Sequence, residues 1–217
     1  MYNEDFMMEE FFENEEGLTE KQKKIIIAAI ESFSEKGYAA TSTSEIAKKA
    51  GVAEGTIFRH YKTKKDLLVS IVAPMMAKFI APFVIKDLYK VLDQRFERFE
   101  DFLQAMIENR AELLKNNLPM FKIFIQEIPF HPELKALFRE HIANKVYERF
   151  SELVKHYQEK GQIIEMPAYS VVRLVVSSIF GYLFGRYLLF PEADWDDEAE
   201  IERTIHFIMH GLEPKNE

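Results

Sequence analysis

Between residues 19 and 211 the apolar side chains recur three and four positions apart, and no alternating, strand-like run interrupts them. That spacing gathers side chains on one face of a helix, whereas a half-buried strand needs a period of two. It predicts an all-α chain of about nine helices. Over residues 19–36, Ile26, Ala29, Ile30 and Phe33 form the stripe, and Gly37 stands where the helix would stop. A second, short helix opens at Ser42, whose side chain can accept from the backbone of Glu45 while Glu45 reaches back, the S-x-x-E capping box. Gly51 ends it. A third helix covers about 54–60, and a fourth starts after Thr63 with Asp66, Leu67, Leu68 and Ile71. Pro74 and Pro82 predict a bent or broken stretch. Long amphipathic segments follow at about 93–116, 118–128, 132–160, 168–190 and 196–211, parted by Asn116-Asn117, the PFHP run, Gly161, Pro167 and Pro191.

The chain has 217 residues, 47% of them hydrophobic, enough for one substantial domain or a small one fused to a larger. Cysteine is absent, so neither a disulfide framework nor a thiolate zinc site can form. The first residues are acidic rather than basic-then-apolar and do not read as a signal peptide. The longest uncharged apolar run, 174–185, lies between Arg173 and Arg186 and is shorter than the roughly 20 residues that cross a bilayer. A soluble cytoplasmic protein without membrane attachment is the expectation. Charge is distributed unevenly. Residues 1–17 hold seven acids and no base, residues 18–66 carry a net +4, and the whole chain is -8. A small basic segment on an acidic body suits a protein with one nucleic-acid face, although a net +4 also describes a solvated helix surface.

The basic segment contains two short helices, 42–50 and 54–60, joined by Gly-Val-Ala, which are helix-turn-helix proportions. Gly51 permits the left-handed backbone of a sharp turn. Val52 and Ile57 can pack inward on Ile46 and Ala47. Gly55 would let backbone approach a phosphate closely, with Thr56 and the free N–H groups of the helix start binding phosphate oxygen. Phe58, Arg59 and His60 are left facing outward, within reach of base edges or phosphates in a major groove. For Phe58 a half-buried packing role stands beside base contact, and for His60 phosphate contact stands beside base reading. Lys48, Lys49, Lys62 and Lys65 read as solvated charges adding non-specific attraction.

The stretch GYAATSTSEIAKKAGVAEGTIFRHYKTKKDLL, from Gly37 to Leu68, closely resembles the DNA-binding domain of the TetR/AcrR-like repressors, over about residues 19–79. The matching positions include Gly37-Tyr38, Thr41-Ser42, Ile46-Ala47, Ala50-Gly51-Val52, Gly55-Thr56-Ile57-Phe58, Tyr61, Lys64 and Leu67. The resemblance implies a three-helix DNA-binding domain whose contacts with double-stranded DNA come from Ser42, Thr43, Gly55, Thr56, Phe58, Arg59, His60, Tyr61 and Lys64. Within that set Ser42 would anchor phosphate, residues 56 and 58–60 would lie on the recognition helix, and Tyr61 and Lys64 would face the DNA backbone. One departure is Ala53, where the family often has the capping residue Ser; a cap is worth roughly 1 kcal/mol. The implied organisation is an acidic extension (1–18), the DNA-binding domain (19–79, motif 42–61) and a helical effector-binding and dimerisation domain (80–217).

Nineteen Phe suit a cavity for a bulky apolar or amphipathic effector, and equally an ordinary aromatic core. The candidate lining is Phe102, Met106, Phe121 and Phe124, with Asn109, His131 and Tyr182 as orienting polar groups. Ser177, Gly181 and Gly185 fall four apart on a helix that is otherwise strongly apolar, so another backbone can come close; Ile201, Ile205 and Ile208 form a second stripe. As in the TetR-like family, two such helices from each of two chains would build a four-helix homodimer core. The small stripe could instead face a neighbouring helix of its own chain, or a ligand. His206 and His210 stand i,i+4 without a third ligand nearby, so no metal is expected. With no Gly-rich phosphate loop, nucleophile elbow or H-E-x-x-H, the sequence predicts neither an enzyme nor a cofactor. The expected function is a homodimeric repressor on a palindromic operator, released by a small effector; a helical protein-interaction module is the alternative. The acidic N-terminus reads either as a solvated arm or as a competitor for the basic face.

Overall fold

Thr19 accepts from the Gln22 backbone N–H at 3.3 Å while Gln22 reaches back, so the first helix starts in a full capping box. It is one of the elements of a computed structural model that describes residues 18–74 and 81–212. The α-helices are α1 (Glu20–Lys36), α2 (Thr43–Ala50), α3 (Glu54–His60), α4 (Lys64–Pro74), α5 (Ala81–Leu92), α6 (Phe99–Asn116), α7 (Leu118–Glu127), α8 (Pro132–Phe138), α9 (Asn144–Glu159), α10 (Ala168–Phe184) and α11 (Asp197–Leu212). Among the described residues there is no strand. The acidic extension lies outside them.

Among the described residues eleven α-helices stand where the sequence suggests about nine, for two reasons. Pro82 falls in the first turn of α5, where a missing N–H costs nothing, so a helix that the sequence did not suggest runs from Ala81 to Leu92. The stretch between Pro74 and Ala81, where a bend or break is expected, lies outside the described residues. Residues 132–160 are divided by a π-helical turn, Arg139–Ala143, which no Pro or Gly announces. The start of α6 also shifts, from residue 93 to Phe99. Gln162 explains it: its Oε1 accepts from the Phe99 N–H at 2.8 Å and its Nε2 donates to the Glu97 carbonyl at 2.8 Å, a cap supplied from far along the chain.

The helices divide into two compact units. The first comprises the described residues up to Pro82 together with Asn116–His141. The second segment falls in what the sequence suggests is the C-terminal domain; it packs instead with the N-terminal helices. On α1, Ile25 and Ala28 are buried as well as Ile26, Ala29, Ile30 and Phe33, an arc wider than one partner requires. Both α2 and α7 pack on it, and α4 packs on α8.

The second unit comprises Phe83–Lys115 and the described residues from Ile142 onward. Its centre is aromatic: Phe102 lies 5.7 Å from Phe99 and 5.5 Å from Phe150, and Phe99 lies 5.0 Å from Tyr157. All four rings are buried, and the Tyr157 hydroxyl donates to the Phe96 carbonyl at 3.1 Å. Helix α10 packs on α9 and α11 through Val171, Val175 and Ile179. The stretch Ala168–Leu189 has the length and hydropathy of a membrane span, but Arg173 and Arg186 interrupt it and this inward face belongs to the unit's core.

Candidate nucleic-acid interface

Helix α2 is short because both ends are fixed by side chain and backbone chemistry. At its start Ser42 Oγ accepts from the Glu45 N–H at 3.1 Å, and Glu45 Oε2 accepts from the Ser42 N–H at 3.0 Å, the predicted capping box. At its end Gly51 adopts φ 68° and ψ 33°, and the Val52 N–H returns to the Ala47 carbonyl at 3.0 Å. A Cβ on Gly51 would meet no atom within 4 Å, so the backbone angle alone demands glycine there. Ala53 then has the extended backbone of an N-cap, yet no side chain caps α3.

Ile57, Ile46 and Ala47 are almost fully buried and lock α3 against α2. With Ile57 inward, Gly55, Phe58, Arg59 and His60 are exposed and Thr56 is half-exposed. Phe58 is 48% exposed, which fits the half-buried role and leaves about half of its surface open for contact. Among the described residues Arg59, Lys48 and Lys62 have no acidic partner, and all three are exposed. The neighbouring cations are engaged inside the unit: Lys36 with Glu45 at 2.7 Å, Lys49 with Glu31 and Glu35 at 3.0 and 3.2 Å, and Lys65 with Glu133 at 2.7 Å. Lys49 and Lys65 are therefore paired charges rather than free ones. The Lys36 ammonium, followed by the Ser42 N–H, holds the Glu45 carboxyl down at about 2.

Three residues expected to meet DNA have other engagements here. Thr43 Oγ1 donates to Glu54 Oε1 at 2.6 Å, tying the first turn of α2 to the first turn of α3. Lys64 Nζ donates to the carbonyls of Tyr38 at 2.7 Å and Thr41 at 2.8 Å, with Ala39 at 3.4 Å. Tyr61 is buried, and that burial pushes its phenol above the usual range. Sequence reasoning missed the Thr43–Glu54 and Lys64 contacts because each joins residues eleven or more positions apart, outside any helical repeat.

The residues predicted to line an effector cavity are divided. Phe121, Phe124 and His131 belong to the first unit, and Phe102, Met106, Asn109 and Tyr182 to the second. Phe102 and Met106 are closed core positions, which is the aromatic-core alternative. Asn109 donates to Asp87 at 2.9 Å beside Arg110, which also reaches Asp87, at 2.7 Å; burial lowers the Arg110 pKa to about 10. Tyr182 hydrogen-bonds Asp197 at 3.2 Å and His131 pairs with Glu127 at 3.1 Å.

The predicted dimer stripe divides as well. Ser177 and Gly181 are exposed, and a Cβ on Gly181 would meet nothing within 4 Å of its own chain. Gly185 begins a π-helical turn and faces Trp195, 3.7 Å from its ideal Cβ. Ile201 and Ile208 are buried within the chain and Ile205 is half-buried, so that stripe serves the unit's own core rather than an outer face. The outward apolar residues include Tyr169, Leu174, Val176 and Phe180 on α10, with Phe207 on α11. Among the described residues no group of three metal-ligating side chains occurs, and His210 Nδ1 hydrogen-bonds the His206 carbonyl of its own helix at 2.8 Å.

Similarity to known proteins follows this geometry. Residues 25–71, which run from α1 into α4, match the family described as bacterial regulatory proteins, tetR family. A fatty acid metabolism regulator protein of Bacillus subtilis is 47% identical over 60 residues, 28% of this chain and 31% of that protein. The HTH-type transcriptional regulator YvkB of Bacillus subtilis is 30% identical over 197 residues, 88% of this chain and 96% of its own length. The fold is shared with the transcriptional regulator FadR from Bacillus subtilis in complex with stearoyl-CoA, with a TM-score of 0.61, 22% identity, and coverage of 87% of this chain and 97% of that one. With the family's signature lying on the α2–α3 pair and a regulator matched along nearly its whole length, the chain belongs to the TetR family of bacterial transcriptional regulators.

Proposed function

We propose that the protein is a cytoplasmic, homodimeric repressor that reads a palindromic operator through α3 and leaves it when an amphipathic effector binds. The observation that carries the DNA reading is the division of α3: Ile57 is buried, while Phe58, Arg59 and His60 are exposed and Arg59 has no acidic partner among the described residues. A guanidinium left free on a helix of groove-entering size can make a bidentate contact with guanine. Ser42 offers its hydroxyl proton, which makes only a 3.3 Å contact with Glu45, to a phosphate oxygen. In a homodimer the two α3 helices would meet successive major grooves about 34 Å apart. Exposed Leu174, Val176 and Phe180 beside Ser177 and Gly181 support α10 as the dimer face. Recovery of duplexes from a random library, sequenced after selection, tests the operator: a two-fold-symmetric consensus is expected, and recovery without any consensus contradicts it.

The effector class rests on the apolar interior and on the acyl-CoA held by the FadR structure. By linkage, an effector that releases DNA must bind more weakly to the DNA-bound protein, by the same factor. Calorimetry with stearoyl-CoA, with and without the selected duplex, is expected to show that loss; equal affinity in both would exclude acyl-CoA as the inducer.

A further inference from the structure

Tyr38 stands where three parts of the first unit converge. Its ring is edge-on to His131 at 5.4 Å and tilted against Phe33 at 5.5 Å, and Lys64 Nζ sits 4.3 Å above it. The same ammonium donates to the Tyr38 and Thr41 carbonyls, so one cation holds the turn by its ring and by its backbone. Thr41 Oγ1, itself buried, donates to the Gly37 carbonyl at 2.8 Å and closes the turn from inside. The next residue is Ser42, the cap of α2. On the far side of the ring, His131 Nε2 lies 3.1 Å from Glu127 Oε2, on a side chain only 10% exposed. Burying a carboxylate is strongly unfavourable unless it is paired, so the Glu127–His131 contact fixes the imidazole as firmly as it satisfies the acid. An ion pair between Lys65 and Glu133 joins α4 to α8 beside this cluster.

We propose that Glu127, His131, Tyr38 and Lys64 form a bracket that positions the DNA-reading pair α2–α3. Glu127 orients His131, His131 holds the Tyr38 ring, and the ring with Lys64 fixes the 38–41 turn that presents Ser42. None of the four needs to touch DNA; each is a positioning residue acting through the Ser42 cap. The segment that returns from Asn116 to His141 thereby has a task in operator recognition, although the DNA-contacting motif lies wholly before it. This inference rests on α2–α3 being the DNA face.

Amide hydrogen exchange on the full chain tests the bracket without requiring DNA. The reporting amides are Glu45, which donates to Ser42 Oγ, and Ile46, which donates to the Ser42 carbonyl. In Glu127→Ala and Lys64→Met both amides should exchange about tenfold faster than in the parent, the loss expected when a hydrogen bond to a charged group is removed. Protection in α6 and α9 should not change. Glu127→Gln and Tyr38→Phe keep the contacts to His131 and Lys64 and should stay within about twofold of the parent. Affinity for cognate and scrambled duplexes should fall together in the first pair and recover in the second. Unchanged protection at Glu45 and Ile46 in both Glu127→Ala and Lys64→Met would overturn the bracket, as would an equal loss at every amide of the unit. If Arg59→Ala leaves DNA binding intact, the DNA assignment of α3 falls, while the exchange rates still decide the bracket.

Discussion

Glu45 shows how much one exposed side chain does at the start of α2. It caps Ser42, pairs with Lys36 at 2.7 Å, and titrates at about 2 instead of the usual 4.5. Because the folded-state value is depressed, the unfolded chain takes up the proton first as pH falls. The stabilisation is therefore fully present above pH 4.5 and is lost progressively down to about 2. Acid unfolding followed at the first unit should show a shallower loss in Glu45→Gln than in the parent across that window; parallel curves would mean that the pair contributes nothing to stability. The capping box was legible in the sequence because its partners are three residues apart. The Lys36 partner was not, since nine positions and a turn separate it from Glu45. Lys64 is the sharper instance: its place in the motif suggested a phosphate contact, and only the folded turn reveals three carbonyls around its ammonium.

At the scale of elements, α3 is the least secured of the helices that carry the site. It has seven residues, no side-chain cap at Ala53, and its buried anchor is Ile57. The backbone at Ala53 already has φ -71° and ψ 142°, the conformation a capping hydroxyl needs. Ala53→Ser should therefore raise stability by about 1 kcal/mol, read as a higher midpoint in urea. A lower midpoint would show that the hydroxyl cannot reach the N–H groups of the first turn. The α2–turn–α3 unit was readable because local rules govern it: a cap, a glycine at positive φ, and apolar residues at helical spacing. What local rules could not reveal was the partner of α1's second face. Ile25 and Ala28 announce that a partner exists, but not that it is α7, nearly a hundred residues later. The π-helical turns at Arg139–Ala143 and Gly185–Leu189 were equally silent, as was Trp195, which covers Gly185 at the start of the second.

For the whole molecule, the dimer and the operator are the two claims that matter. Gly181 gives a clean probe of the first, because an added Cβ would meet no atom within 4 Å beyond its own stretch of helix backbone. Gly181→Leu should not destabilise the isolated chain, since loss of a helix-interior glycine is worth roughly 1 kcal/mol in its favour. Against a closely packed second copy, overpacking costs about 1–3 kcal/mol, and light scattering should then show dissociation where the parent is dimeric. A mutant as dimeric as the parent would place the interface elsewhere. The basic segment on an acidic body was legible from charge alone, and with Lys36, Lys49 and Lys65 paired, the exposed cations left on and beside the α2–α3 pair are Lys48, Arg59 and Lys62. The most direct measurement is the affinity of the parent and of Arg59→Ala for the selected duplex and for a scrambled one, over a range of salt. If α3 reads bases, the parent prefers the selected duplex, and Arg59→Ala loses about 1–3 kcal/mol of that preference while retaining most of its non-specific binding. Equal binding of both duplexes by the parent, or an unaltered preference in Arg59→Ala, would contradict the account.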